Sequence, residues 1–406
     1  MDSRAGATVL FCIFAGDRNW EMRTFQVIHN IPSPYRIHLF ATMHRELERR
    51  GLSFHVHFMS QGHGERPVSW RMTDMPFPHT FWREWWPTAG GRGYHFNLGM
   101  LAGLRRSPAP DFLLVGSAWS SPTGVLASLA APRRIGIIWV EANTKTPGRI
   151  RGLMAAYKRF ILRRFQYIAV PGQEGRGYLG LLYPRRRGGR PVPVALPNVV
   201  DESRFQPRAA HKPGDLAAMR REFGLNLEDR VAICPARLAP VKGLQEFLAA
   251  IRPEMLQEWK VLIVGEGPLA AALTEQIARQ GYAGRVLVRP YVSYERMPSV
   301  YAMADLFLLP SVSDPNPLSV VEAMHSGLPL LLSDRVGNFP EALAEGINGW
   351  GFDPGLPDAV RRATASAVAA STEQLRGMGE MSRCRAHTSW NTDQVVRDFL
   401  DAVGAV

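Results

Sequence analysis

The stretch of sequence that decides the fold reads SVSDPNPLSVVEAMHSGLP and covers Ser311–Pro329. The residues that lead into it, Asp305–Ser311, are mostly apolar and predict a buried strand. Asn316 is a suitable N-cap and Pro317 a suitable first helical residue, so we expect a short helix that ends at Gly327. A strand, a loop and a helix N-terminus in this order form an anion site, because free backbone N–H groups and the helix dipole point at the same place.

Two carboxylates lie in this stretch. Asp314 is in the loop, and Glu322 is about one turn inside the predicted helix. Both side chains can accept hydrogen bonds from hydroxyl groups beside a bound anion. The stretch therefore predicts a site for a phosphorylated, hydroxyl-rich ligand.

The composition indicates a folded protein with acidic partners. The chain has 406 residues, of which 46% are hydrophobic and 21% charged, and its formal net charge is +12. This length suggests roughly two or three domains. The charge favours nucleotides, anionic lipids or nucleic acid as partners, and because no nucleic-acid-binding module is recognisable we expect no nucleic acid.

The cysteines and the apolar runs bear on location. Three cysteines lack the spacing of a metal site or a disulfide framework, which favours a reducing, cytoplasmic location. No apolar run reaches the roughly 18 residues that suggest a membrane span. Residues 1–21 differ in character from the rest, and we expect a non-native extension or a disordered segment there, with Met22 as the native start.

Short apolar strands alternate with helices along the chain, which is typical of parallel sheets covered on both faces. We therefore predict an α/β protein with two Rossmann-like, doubly wound domains that face each other across a cleft. The predicted domains are residues 1–205 and 206–385, followed by a C-terminal helix in 386–406 that packs back on the first domain. The predicted strands are Phe25–His29, Phe54–Met59, Phe112–Gly116, Ile135–Val140, Tyr167–Val170, Val192–Leu196, Val231–Cys234, Val261–Val264, Val286–Val288, Leu306–Leu309 and Leu330–Leu332.

Two cations, Arg237 and Lys242, lie in a turn after the predicted strand Val231–Cys234. They can converge on a diphosphate and offset the charge of a leaving group. The alternative is that both are solvated surface charges. The predicted helix N-terminus near Pro317 favours the diphosphate site over this alternative. The nearby Gly265-Glu-Gly267 turn superficially matches a dehydrogenase fingerprint, but no carboxylate ends the next strand, so we reject that interpretation.

These motifs, in this order, resemble those of family-four glycosyltransferases, which are retaining enzymes of the GT-B fold within glycosyl transferases group 1. The resemblance covers most of the chain and is strongest in its second half. The matching segments are Leu196-Pro-Asn198, Arg237…Lys242-Gly243, Gly265-Glu-Gly267-Pro268, Asp314…Glu322, Asn338…Glu341 and Gly346-Ile-Asn-Gly349.

The resemblance implies roles for the donor-side residues. Glu322 is expected to hold the ribose hydroxyls of a nucleotide. Asp314, where the family usually has a glutamate, is expected to contact the transferred sugar, with helix capping as the alternative. The catalytic candidates are Asp314, Arg237, Lys242 and Glu141. The other donor-binding candidates are Leu318 and Ser319 through their N–H groups, Gly265 near the donor, and Tyr291 and Val292 near the base.

In the first domain, the resemblance points to a loop after the first strand. Its residues Ser33, Tyr35 and Arg36 are expected to face the donor phosphate and the acceptor, with a rigid proline turn and a surface arginine as the alternative. Glu141 follows the predicted strand Ile135–Val140, where many relatives carry a histidine near the reacting sugar. A structural ion-pair partner is the alternative role for Glu141.

Two further segments concern the acceptor side. Phe77–Pro87 is rich in aromatic residues, which suits either a sugar- or lipid-facing surface or buried packing. Arg149–Arg164 predicts a basic helix that, with Arg185–Arg187 and Arg190, could make peripheral contact with an anionic membrane. A core-packed helix with a solvated basic face explains that segment equally well.

The sequence with its resemblance predicts retaining transfer of a hexose-type sugar from a nucleoside diphosphate to a polysaccharide, lipid-linked or small-molecule acceptor. No Asp-x-Asp pair is present, so we expect no metal and no other cofactor, with leaving-group charge stabilised by Arg237, Lys242 and helix dipoles. The alternatives are a nucleotide-sugar epimerase or phosphorylase of the GT-B fold, and a non-catalytic nucleotide-sugar-binding or scaffold protein.

Overall fold

The computed structural model describes residues 22–61, 75–83, 96–106, 108–116, 121–145, 150–183 and 191–406. The strands are β1 Thr24–His29, β2 Ser53–Phe58, β3 His79–Phe81, β4 Phe112–Val115, β5 Ile135–Trp139, β6 Tyr167–Val170, β7 Val192–Ala195, β8 Arg230–Pro235, β9 Trp259–Val264, β10 Val286–Arg289, β11 Leu306–Leu309, β12 Leu330–Ser333 and β13 Gly349–Phe352. The helices are α1 Pro34–Arg49, α2 Leu98–Arg106, α3 Pro122–Ala130, α4 Gly152–Leu162, α5 Gln173–Leu182, α6 Pro213–Glu222, α7 Leu244–Ala250, α8 Ala270–Arg279, α9 Met297–Ala302, α10 Leu318–His325, α11 Phe339–Ala342, α12 Pro357–Ala369, α13 Thr372–Trp390 and α14 Thr392–Ala402.

Two parallel sheets organise the described residues. Within these residues the first sheet has seven strands in the order β3-β2-β1-β4-β5-β6-β7, and the second has six in the order β10-β9-β8-β11-β12-β13. The strand order reverses between β1 and β4, and again between β8 and β11. In such doubly wound sheets, ligands bind outside the carboxyl ends of the strands at these reversals. The prediction of two doubly wound α/β domains is confirmed.

Two strands were missed from the sequence, and both lie at sheet edges. β3 (His79–Phe81) pairs with β2, and β13 (Gly349–Phe352) pairs with β12. β3 has only three residues, two of them polar, and β13 contains two glycines, which are depleted in strands. Neither segment carries the apolar run that marks the buried central strands.

Helix α10 starts later than the sequence predicted. Pro317 is the N-cap residue, with an extended backbone (φ −68°, ψ 116°), and the helix begins at Leu318. Asn316 does not cap it; its side-chain amide donates to the carbonyl of Glu141 at 3.2 Å instead. The predicted helix end holds, because Gly327 adopts a φ of +76° just after the last turn, where a glycine is favoured.

Helix α14 leaves the second sheet's side of the molecule and packs on α1. The Phe399 ring lies 6.5 Å from that of Phe25 in β1, and Arg50 donates to Asp401 at 2.6 Å. Where α14 begins, Thr392 donates its backbone N–H and its hydroxyl to Glu202 at 3.1 and 2.7 Å. Glu202 therefore joins the two segments that connect the domains.

In the described part of the aromatic segment predicted for the acceptor side, one residue is buried, Pro78 and Arg83 are exposed, and residues 79–82 are partly exposed. Phe77 is buried, and its ring contacts those of Phe40 and Phe54 at 6.1 Å each. Predictions for residues 1–21, 84–87, Arg149, Arg185–Arg187 and Arg190 lie outside the described residues. Of the helices in the described ranges, none has the combined length and apolar character needed to cross a membrane.

Candidate functional site

The loops after β8 and β11 meet at the reversal point of the second sheet. The N–H groups of Val312 and Ser313 both donate to the carbonyl of Val241, at 3.0 and 3.2 Å. Gly243 has a φ of +65°, and a Cβ there would overlap the carbonyl oxygen of Pro310. This glycine therefore allows a close approach of the two loops, which brings Lys242 to Asp314.

Lys242 and Asp314 form an ion pair in this approach. The Nζ atom of Lys242 lies 2.5 Å from Oδ2 of Asp314, and the two side chains are 19% and 11% exposed. Asp314 does not cap α10, because no side chain accepts a hydrogen bond at that cap. Oδ1 of Asp314 has no hydrogen-bond partner among the described residues, which leaves it available to a ligand.

Arg237 is exposed on the neighbouring loop. The glycine-rich turn after β9 supports this loop: a Cβ on Gly265 or Gly267 would overlap the carbonyl oxygens of Ala236 or Leu238. Gly265 is itself buried beneath the loop. Gly265 therefore supports the Arg237 loop. The sequence alone could not distinguish this role from direct contact with a ligand.

The N-terminus of α10 opens onto the same place. Leu318 and Ser319 are its first residues and are partly exposed. Their backbone N–H groups have no acceptor among the described residues, as is usual in the first turn of a helix. Two donors and the positive end of the helix dipole thus lie beside the Lys242–Asp314 pair.

Glu322 is buried, and both of its carboxylate oxygens accept hydrogen bonds. Tyr35 donates to Oε1 at 2.5 Å, and Tyr301 donates to Oε2 at 2.6 Å. Burial raises the pKa of Glu322 above its ordinary value, although the two tyrosine hydrogen bonds oppose this. Burial and the charge of Glu322 raise the pKa of both tyrosines well above the usual range. Tyr35 comes from the first domain, so this cluster bridges the cleft.

Sequence reasoning missed Tyr301 altogether, because no motif includes it. Of the two base-binding candidates, Tyr291 is 39% exposed and Val292 only 8%. Val292 thus belongs to the core, and Tyr291 is the member of the pair that a ligand can reach. Nearby, the ring of Tyr294 lies edge-on to Tyr35 at 5.2 Å.

The first domain contributes a polar cluster at the carboxyl end of β5. Arg36 donates to Glu141 at 2.6 Å and to Asn198 at 3.0 Å, and Asn198 donates to Glu141 at 3.1 Å. The Arg36 guanidinium also lies 4.0 Å above the Trp139 ring. Arg36 is therefore not a surface arginine: its side chain is 14% exposed, against 51% for Glu141.

Glu141 is ionised in this cluster and faces the cleft. Partial desolvation of the half-exposed carboxylate opposes its charge, but Arg36, Asn198 and His29 together lower the pKa of Glu141 below the ordinary value. Ser33, the first residue of the predicted acceptor-side loop, caps α1 by accepting from the N–H of Arg36 at 3.4 Å. Of the three loop candidates, only Tyr35 and Arg36 direct their side chains toward other parts of the site.

Residues of both domains contact the loop that carries Asp314. Asn143, which is fully buried, donates its side-chain amide to the carbonyl of Pro315 at 2.5 Å. On the other side, a Cβ on Gly337 would overlap both the Pro315 carbonyl and the Asn143 amide. Further along the interface, Glu341 accepts from the backbone N–H of Gln173 at 2.7 Å, at the start of α5.

No group of three or more His, Cys, Asp or Glu side chains placed to hold a metal ion occurs in the described ranges. Cys234 is buried in β8, and burial raises the pKa of its thiol to about 12, which makes it a core residue rather than a nucleophile. The described site contains cationic side chains, helix N–H groups and carboxylates.

A family model described as glycosyl transferases group 1 matches residues 216–383, which hold Lys242, Asp314 and Glu322. This segment is similar to the glycosyl transferases group 1 domain. The match covers the second sheet through β13 and the helices around it, and it agrees with the resemblance read from the motifs.

Curated relatives match part of the chain. The D-inositol 3-phosphate glycosyltransferase of Segniliparus rotundus is 33% identical over 186 residues, which cover 44% of this chain and 41% of that one. The GDP-mannose-dependent alpha-(1-6)-phosphatidylinositol monomannoside mannosyltransferase of Mycolicibacterium smegmatis is 32% identical over 206 residues, 48% of this chain and 52% of that one. The chain thus spans about half the length of these relatives, or less.

Solved structures match nearly the whole chain in fold. Anabaena Alr3699/HepE in complex with UDP and glucose has a TM-score of 0.72 at 16% identity and covers 95% of this chain and 100% of that one. A glycosyltransferase from Rickettsia africae has the same TM-score at 12% identity, covering 95% and 98%. At such identities the likeness shows the fold alone, and the predicted GT-B arrangement is confirmed.

Proposed function

We propose that this protein is a retaining glycosyltransferase that takes a sugar from a nucleoside diphosphate. The observation that carries this proposal is the Lys242–Asp314 pair at the β8/β11 reversal point, beside the free N–H groups of α10. The names of the relatives support it, since one acts on inositol phosphate and another depends on GDP-mannose. The fold neighbour that holds UDP and glucose is consistent with a nucleotide-sugar donor.

The diphosphate is held where positive charge converges. In this proposal Arg237, Lys242 and the N–H groups of Leu318 and Ser319, which all follow the carboxyl ends of strands in the second sheet, bind the diphosphate together. As the bond to the sugar breaks, negative charge grows on the departing diphosphate, and fixed donors there lower the barrier. In this proposal these groups stabilise the leaving group without a required metal or other cofactor.

Asp314 has two tasks, one for each oxygen. Oδ2 holds Lys242 against the diphosphate position, while Oδ1 accepts a hydrogen bond from a hydroxyl of the transferred sugar. The side chain is one methylene shorter than the glutamate usual in similar proteins, so the sugar hydroxyl has to approach the loop closely or bind through a water. Asp314 is thus a determinant of which sugar is accepted.

Glu322 holds the ribose after an exchange of partners. A buried carboxylate oxygen without a hydrogen bond is costly, and in this structure Tyr35 fills that need on Oε1. A ribose hydroxyl replaces the Tyr35 hydroxyl when the donor enters, while Tyr301 stays on Oε2 from within the same domain. Tyr291, the exposed candidate, packs against the base.

The acceptor enters from the first domain. The ionised carboxylate of Glu141 is half exposed, and Arg36 and Asn198 fix its orientation. It accepts a hydrogen bond from a hydroxyl of the acceptor or of the transferred sugar. The acceptor is a polysaccharide, a lipid-linked molecule or a small molecule, and the proposed place of action is the cytoplasm.

The test is turnover with defined donors. Purified protein is incubated with labelled UDP-, GDP-, ADP- and TDP-sugars and a panel of inositol phosphates, phosphatidylinositol and oligosaccharides. We expect one donor to release its nucleoside diphosphate only with an acceptor, and the product to keep the anomeric configuration of the donor by NMR. Isomerisation of a donor without acceptor would indicate an epimerase. Donor binding without transfer to any acceptor would indicate a non-catalytic binding protein.

A further inference from the structure

Helix α4 exposes large apolar side chains on its outer face. Leu153 is 90% exposed and Phe160 53%. The two residues are seven positions apart, which places them on the same side of the helix. The opposite side carries Ala155 and Leu162, which are buried, as is Ile161 at the side. One face of the helix therefore packs against the core. The row formed by Leu153 and Phe160 is covered by nothing in the described structure.

Basic residues surround that outer row. From 150 to 165 the sequence has five basic residues and no acidic one. Arg151, Arg163 and Arg164 are exposed, and the Arg164 guanidinium lies 4.8 Å over the Phe160 ring. Exposed leucine and phenylalanine bordered by arginines form the pattern of a helix that lies in the plane of a membrane interface.

The helix lies on the flank of the catalytic cleft. Because β5 and β6 are parallel, α4 has to run from the carboxyl edge of the sheet back to its amino edge. Its first turn, with Leu153, is therefore at the sheet edge that also carries Glu141. The adjoining helix α5 adds Leu181, which is 49% exposed and precedes Leu182, whose carbonyl accepts from Arg159 at 3.3 Å.

We propose that α4 holds this protein against an anionic membrane surface. Leu153, Phe160 and Leu181 enter the boundary between headgroups and acyl chains, and the arginines contact the negative headgroups. Each arginine near such a surface contributes about 1 kcal/mol to the free energy of membrane binding. Because a few such contributions give only weak binding, stable attachment needs the apolar contacts as well. The formal net charge of +12 acts in the same direction.

This orientation narrows the acceptor class, and that consequence rests on the proposed function. With Leu153 in the interface, the cleft edge that carries Glu141 lies beside the bilayer. The acceptor hydroxyl is then presented by a lipid, because a lipid-borne group reaches this edge without leaving the membrane. A water-soluble polysaccharide gains nothing from such an attachment.

Co-sedimentation with vesicles tests the attachment without requiring turnover. The full chain is mixed with vesicles of phosphatidylcholine alone, or of phosphatidylcholine and phosphatidylglycerol in equal parts, at low and high salt. We expect sedimentation with the anionic vesicles that weakens as salt rises. The double variant Arg163→Gln/Arg164→Gln should partition about thirtyfold less, and Leu153→Ser/Phe160→Ser should lose retention at high salt.

Matched controls are Leu227→Ser and Arg279→Gln, which alter an exposed leucine (56%) and an exposed arginine (69%) of the second domain. These should sediment like the wild type, and all variants should keep the wild-type melting temperature.

Wild-type protein that stays in solution with anionic vesicles, or α4 variants that bind as the controls do, would overturn the proposal. So would equal binding to neutral vesicles, or salt-sensitive binding to duplex DNA in place of vesicles. Vesicle binding without transfer would leave the attachment standing and remove only the proposed enzyme activity.

Discussion

Asp314 and Lys242 owe their contact to local packing of two loops. Val312 and Ser313 of the second loop donate their N–H groups to the carbonyl of Val241 in the first, and Gly243 lets the two loops approach. Because both side chains are mostly shielded from water, their attraction is stronger than that of an exposed pair. A short aspartate keeps its carboxylate near its own backbone, and therefore near Lys242.

Lys242→Ala should lower the rate of nucleoside diphosphate release by about 10²-fold or more, because a charge that stabilises the leaving group is lost. Lys260→Ala is the matched control, since Lys260 lies near the start of β9, at the opposite edge of the second sheet. Release rates are compared at saturating donor. A Lys242→Ala protein with wild-type rates would remove Lys242 from the mechanism.

Tyr35→Phe should strengthen donor binding. The variant keeps the ring but removes the hydroxyl that occupies Oε1 of Glu322, so the ribose no longer has to displace it. Hydrogen bonds to charged groups are worth about 1.5–3 kcal/mol, so we expect a dissociation constant lower by about tenfold or more in titration calorimetry. Tyr183→Phe, at a partly exposed tyrosine of the first domain, is the control. Weaker binding in Tyr35→Phe would mean that the hydroxyl contacts the donor directly.

At the scale of elements, the start of α10 shows where local signals fail. Its end was predictable, because Gly327 needs a positive φ that other residues avoid. Its start was not, because Asn316 uses its side chain on the carbonyl of Glu141, which is 175 positions away. A preference for capping is a local signal, and here a contact between domains outweighed it.

Glu202 ties the start of α14 to the segment between the domains. Burial opposes its charge, but the His38 ring 3.6 Å away and the hydrogen bonds from Thr392 lower the pKa of Glu202 from 4.5 to about 2. A carboxylate with a lowered pKa stabilises the folded state above its unfolded pKa, and this contribution is lost as pH falls from about 4.5 toward 2.

Glu202→Gln should therefore reduce the free energy of unfolding by about 2 kcal/mol at pH 7, the worth of hydrogen bonds to a charged group. Urea denaturation at pH 7 and at pH 3.5 measures the difference from wild type, which should be smaller at the lower pH. Glu275→Gln, at a side chain that is 77% exposed, should change little at either pH. A wild-type advantage that grows toward pH 3.5 would contradict the assigned pKa direction.

At the scale of the whole molecule, the buried sheet strands could be predicted and the contacts across the cleft could not. Central strands such as Leu306–Leu309 can be recognised in the sequence as apolar runs. The pairing of Tyr35 with Glu322 joins residues 287 positions apart, and only the assembled domains bring them together. Likewise, the sequence of α4 shows many apolar residues, but only the fold shows that Leu153 and Phe160 face outward.

The most direct test of the donor site is thermal unfolding of the wild type and of Arg237→Ala/Lys242→Ala with UDP-, GDP-, ADP- and TDP-sugars. A ligand at about 100 times its dissociation constant adds about 2.7 kcal/mol of stability. We predict that at least one donor raises the melting temperature of the wild type and that the double variant loses this response. No response of the wild type to any donor, or an equal response of the variant, would contradict the account.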